Sequence, residues 1–281
     1  MRVANLKGRL VLLGDAGSID VERASRGRFG PDPATVYQVW DEFHSWALGL
    51  GDAMDAEDYD PAMLEAPSPR PRQIFAVGLN YAPHVNEAGF VLPEWPVVFT
   101  KFSSCICGPY GDLELPSDNV DWEIELVAVV GRPGYRIQRS QAWSHIAGLT
   151  IGQDFSERVV QSRGTAPQFS IGKSFPGFGP TGPWLTTLDE FEDPDDIELR
   201  CEINGRTVQH GRTSDLIFSV PVLVEWLSDK CRLFPGDIIF TGTPGGTGAG
   251  LDPPSYLRVG DEVVSTITGI GTMRNRCVPR R

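Results

Sequence analysis

Beyond residue 70 the chain is a succession of short apolar runs: IFAVGL, PVVFTKF, IELVAVVG, HIAGLTIGQ, IELRCEING, DIIFTGT and DEVVSTITGIGTM. Each is too short for an ordinary helix, is rich in β-branched or aromatic residues and is bounded by glycine, proline or polar turns, so each reads as a strand. Long helices do not alternate with them, which argues against a doubly wound parallel sheet. Only Ser219 to Leu233 carries a helical stripe, with Val222, Leu223, Trp226 and Leu227 on one face, and SERVVQS after Asp154 allows one further short helix. The fold class that follows is β-rich α+β with long functional loops.

The leading segment differs. Residues 9–22, RLVLLGDAGSIDVE, predict a hairpin about Asp15-Ala16-Gly17. Asp32 to Leu50 predicts a helix through Val36, Val39, Trp40, Phe43 and Trp46. Residues 52–72 are acidic and carry Pro61, Pro67, Pro69 and Pro71, the composition of a connector. Residues 1–70 are therefore expected to form a small N-terminal α/β domain with a linker, and 71–281 the main domain. At 281 residues and 41% hydrophobic content the chain can enclose a site.

A formal net charge of -12 opposes any broad grip on nucleic acid or an anionic membrane. The five cysteines include no C-x-x-C pair, so they suggest free thiols rather than a disulfide framework or zinc ribbon. No run of about 18 apolar residues occurs, and the expected setting is the cytoplasm.

In DWEIELVAVVG, Glu123 and Glu125 are two apart on a strand and share a face. Such a pair on a solvated edge is unremarkable, but this strand continues into an apolar run of the kind that is buried, and two buried carboxylates call for a cation. Asp154 ends another apolar run; by itself it is also a natural N-cap for SERVVQ. Three oxygen ligands without histidine or cysteine would select Mg²⁺ or Mn²⁺, with Ca²⁺ also admitted, and leave positions for a chelating oxo-acid.

Around this candidate site, His84 and Glu87 in VGLNYAPHVNEAGF are spaced to meet across one helical turn, either as a water-activating pair or as a surface contact. Lys173 is one of four lysines and sits in a loop, FSIGKSFPGFGPTGPW, with little to pair it but a ligand. Asp154, Arg158 and Gln161 follow at helical steps of four and three, suited to an anionic substrate or to a structural ion pair. GTPGGTGAG at 242–250 lacks dinucleotide-binding spacing and runs into Pro253-Pro254, but its amides could cradle a carboxylate.

Together these segments resemble the fumarylacetoacetate hydrolase family, in particular its shorter bacterial and mitochondrial members. The ordered blocks are VGLNYAPHVNE, PVVFTKFSS, DWEIELVAVVG, IGQDFSERVVQ, IGKSF, FGPTGPW, NGRTVQHGRTSDLIFSV, LFPGDIIFTGTPGGTG and GDEVVSTITGIGTMRN, within residues 67–278. The resemblance implies a mixed β-sandwich roll catalytic domain, assembled as a homodimer, behind a small N-terminal domain. It implies Glu123, Glu125 and Asp154 as metal ligands, His84, Glu87 and Lys173 as catalytic residues, and Arg158, Gln161 and Thr243 as substrate contacts. The implied reaction is metal-dependent hydrolysis of a carbon-carbon bond in an acylpyruvate-like 1,3-dioxo acid of the fumarylpyruvate type. Decarboxylation of an oxaloacetate-type acid, or isomerisation or hydration of an unsaturated oxo-diacid, is the alternative on the same scaffold. Gln153, Glu157 and Pro176 depart from the common pattern, and Glu157 and Pro176 are expected to bear on substrate choice.

Overall fold

The computed structural model describes residues 1–50, 56–82 and 91–280. Two mixed sheets carry the fold. In the larger the strand order is Gly17–Asp20, Arg9–Gly14, Arg2–Leu6, Gly179–Thr186, Ile146–Gln153, Ile124–Val130, Ile238–Phe240, Ile74–Gly78 and Val97–Thr100. The second runs Arg206–Arg212, Glu198–Ile203, Glu262–Ile267, Gly271–Pro279 and Tyr110–Leu115. This is the β-rich α+β class read from the sequence.

Strand Ile124–Val130 explains how the layers assemble, because it is buried on both faces. Ile124, Leu126 and Ala128 point into a core shared with Leu199, Val263 and Met273 of the second sheet, which makes the sandwich. Val127 and Val129, one residue out of step, point the other way and pack with Tyr37, Trp40 and Phe43 of the leading segment. Glu125 has the parity of Val127, so it belongs to this second face, beyond the part that the aromatic cluster covers.

The hairpin forms with the anticipated turn, Gly14 opposite Gly17. The helix anticipated from Asp32 starts later: Asp32 caps a turn through Ala34 N at 3.0 Å, a 3-10 stretch Val36–Val39 follows, and the α-helix spans Trp40–Leu48. The helix anticipated over Ser219 to Leu233 spans Val220–Lys230, with Pro221 in its first turn, where no amide is lost. The leading strands join the main sheet directly, Arg2–Leu6 pairing with Gly179–Thr186. The connector joins it as well: Leu64–Glu65 pairs with Arg2–Leu6, because Leu64 buries its side chain there.

Candidate metal centre

Three buried carboxylates meet where the central strands of the large sheet end. Glu123, Glu125 and Asp154 each offer an oxygen, and these oxygens all lie within 4.8 Å of one another. Antiparallel pairing brings them together: Ile124 is opposite Gln153, Glu125 is opposite Gly152, and the Asp154 amide donates to the Glu123 carbonyl at 2.9 Å. Gly152 is required, since a Cβ there would stand 2.5 Å from the Phe240 ring and 2.6 Å from Val127.

Burial first, then the charges of Asp154 and Glu123, hold the Glu125 carboxyl well above the usual carboxylate range, against the pull of Lys173 and the Gly242 amide. That amide donates to Glu125 Oε2 at 2.7 Å. Lys173 Nζ bridges Glu123 Oε2 at 2.7 Å and Asp154 Oδ2 at 2.6 Å. Burial by itself would lower the pKa of Lys173, but Asp154 and Glu123 outweigh it and hold the ammonium charged. An all-oxygen, wholly enclosed triad with mutual repulsion written into one member fits a hard divalent cation such as Mg²⁺ or Mn²⁺.

Several supporting residues escaped the sequence reading. Lys101, fully enclosed, donates to Asp154 Oδ1 at 2.5 Å and to the Lys173 carbonyl. Asp121 receives Arg158 Nε at 2.8 Å and the amides of Gly248 and Ala249 at 2.7 and 2.9 Å. Gln209 accepts from the Ile124 amide at 3.0 Å and donates to Thr243 Oγ1 at 2.8 Å. The signal for Asp121 was present, because Asp121, Glu123 and Glu125 run at period two. Gln209 arrives from another strand and Lys101 from just past the end of one, and neither carries a local pattern.

Arg158 pairs with Asp121 and, through Nη1, with Glu123 Oε1 at 2.8 Å, and also donates to Gln161 Oε1 at 2.9 Å. The anticipated Asp154-Arg158 helical step is thus replaced: the helix is only Arg158–Gln161, and Asp154 lies before it. Nor does Asp154 cap that helix. Glu157 does, accepting from Val160 N at 2.5 Å and from Ser117 Oγ at 2.6 Å, so its charge is spent inside the protein and not on a substrate. Pro176 is exposed in a turn away from the cavity lining. Gln153 accepts from the Glu123 amide at 2.9 Å and donates to Ser265, which fixes the strand bearing the first ligand. The 242–250 loop does cradle carboxylates with its amides, but they are the protein's own Glu125 and Asp121.

Glu123, Glu125, Arg158, Gln161, Lys173 and Thr243 line one cavity of about 370 Å³. His84 and Glu87 lie outside the described residues. Among the described residues no helix is long and apolar enough to cross a membrane.

Residues 73–278 match the family described as fumarylacetoacetate (FAA) hydrolase, C-terminal. The chain belongs to the fumarylacetoacetate hydrolase family. It is 41% identical over 215 residues to oxaloacetate tautomerase FAHD2A, mitochondrial, of Homo sapiens, a match covering 76% of this chain and 68% of that protein. A Mycobacterium smegmatis structure provisionally named HpcE is 51% identical over all of both chains, with a TM-score of 0.95. The maleylpyruvate hydrolase of Sphingobium sp. SYK-6, solved with manganese(II) and pyruvate, is 25% identical over all of both chains, with a TM-score of 0.81. The fold of this fumarylacetoacetate hydrolase family chain is therefore the family's fold, and its relatives include enzymes named for small oxo-acids, one of them solved with manganese(II) bound.

Proposed function

We propose that the protein cleaves the carbon-carbon bond of an acylpyruvate-like 1,3-dioxo acid by hydrolysis, using a divalent cation at Glu123, Glu125 and Asp154. The observation that carries this reading is the buried triad, two members of which, Glu123 and Glu125, line a cavity beside Lys173 and Arg158 with room for more than a pyruvyl group. A bound Mg²⁺ or Mn²⁺ supplies a Lewis acid for the 2-oxo group and carboxylate of the substrate. Lys173 and Arg158, both held charged by their carboxylate neighbours, face the end of the substrate where negative charge gathers. Thr243 is oriented by its bonds to Gln209 and to the Ile124 carbonyl, which aims its remaining capacity into the cavity.

In the reaction, water adds to the distal carbonyl carbon and loses a proton to a base, the role proposed for His84 supported by Glu87. The bond from that carbon to the methylene breaks, its electron pair leaves on the pyruvate half as an enolate, and protonation gives pyruvate and a carboxylic acid. A second reading, keto-enol exchange or decarboxylation of an oxaloacetate-type acid, is favoured by the likeness to the human tautomerase and needs no attacking water.

The test is a side-by-side assay of the Mn²⁺-loaded protein on acetylpyruvate, fumarylpyruvate and oxaloacetate, with products identified. Release of pyruvate from an acylpyruvate, abolished by chelator, is the predicted result. Turnover of oxaloacetate with every acylpyruvate left intact would replace the first reading by the second.

A further inference from the structure

The cavity is chemically lopsided. Beyond Lys173, whose ammonium lies 5.1 Å from the Phe99 ring centre, the wall carries the side chains of Leu79, Phe99, Pro167 and Phe169. The two rings pack edge to face at 5.7 Å, and the Gly78 Cα lies close enough to both that an added Cβ would touch each at 3.7 Å. Gly78, Phe99 and Phe169 thus form one continuous apolar surface. The cations among the described lining residues are Arg158 and Lys173, and both are already bound to carboxylates: Arg158 to Asp121 and Glu123, Lys173 to Glu123 and Asp154.

Leu79 supplies an independent sign that the wall is built for a purpose. Its φ is 56°, a left-handed conformation that a branched side chain enters at a cost. The next residue holds it there: Asn80 donates to the Phe218 and Thr241 carbonyls at 2.9 and 2.7 Å and accepts from the Phe218 amide at 2.8 Å. Glycine would take this φ without strain, yet a leucine stands here and lines the cavity.

We infer that the acyl end of this site takes an uncharged, apolar chain rather than a second carboxylate. This rests on the proposed binding of a 2-oxo acid at the triad, and it names the class of substrate: monocarboxylic acylpyruvates with an alkyl, alkenyl or aryl acyl group. A distal carboxylate would be stripped of water against Leu79, Phe99 and Phe169 without a free cation to meet it among the described lining residues, whereas a methyl or phenyl group gains by leaving water.

The experiment uses two pairs of acids in which a terminal methyl replaces a carboxylate. Binding of 2-oxohexanoate and 2-oxoadipate to the Mn²⁺-loaded protein is measured by calorimetry, and turnover of crotonylpyruvate and fumarylpyruvate by pyruvate release. The uncharged member should win each pair by at least about tenfold. Leu79→Lys, checked for an unchanged thermal midpoint, should shrink or reverse the binding ratio; the wild-type ratio decides the matter if that variant does not fold. Equal or tighter binding of 2-oxoadipate overturns the inference, as does a folded Leu79→Lys protein with an unchanged ratio. Preference for 2-oxohexanoate with crotonylpyruvate left uncleaved upholds the apolar subsite and sinks the hydrolase reading. Failure of both acids to bind ends both.

Discussion

Lys101 shows what single residues contribute to this centre. Its ammonium is wholly shut off from solvent and answers one oxygen of Asp154, which leaves the other to Lys173 and the space between the ligands. Removing one partner of a buried ion pair strands the other charge, which costs about 3–5 kcal/mol. Lys101→Met is therefore expected to lose stability of that order in the presence of chelator, and to recover more of it with Mn²⁺ than wild type gains, because a cation beside Asp154 replaces the missing charge. Urea unfolding with and without Mn²⁺ checks this. At this scale Glu123 and Glu125 were legible because a period of two on a buried strand is a strong local pattern. Lys101 and Gln209 were not, since each is recruited across the fold by partners that no sequence spacing reveals.

At the scale of elements, the short turn Arg158–Gln161 decides how the cavity is dressed, and its start is set by Glu157. An acid beside a predicted substrate arginine reads from sequence as a specificity element. The folded chain spends it on the Val160 amide and Ser117. Glu157→Ala should lower stability by about 1 kcal/mol, the ordinary value of a lost N-cap, whereas Glu157→Gln should leave the ranking of substrates unchanged. Denaturant melts and kcat/KM ratios for a charged and an uncharged acylpyruvate measure the two effects. The strands themselves were legible from their length and β-branched content. Their order in the sheets was not, because Ile238–Phe240 comes to lie between Ile124–Val130 and Ile74–Gly78 through contacts remote in sequence.

For the molecule as a whole, the sandwich works as a holder for charge. Asp121, Glu123, Glu125 and Asp154 are buried with Lys101 and Lys173 on and beside strands packed on both faces, and Arg158 closes the cluster from the cavity side, so the buried carboxylates are answered by the protein's own cations and not by water. The carboxylates outnumber the cations by one, and a divalent ion turns the deficit into a small excess suited to an anionic acid. A titration of chelator-stripped protein with Mn²⁺, followed by paramagnetic resonance in wild type and in Glu125→Gln, tests that claim most directly. The account predicts one ion per wild-type chain, an affinity at least about tenfold weaker in Glu125→Gln, and loss of turnover in step with loss of the ion. Equal Mn²⁺ affinity in the two proteins, or undiminished turnover by the stripped enzyme, would contradict it.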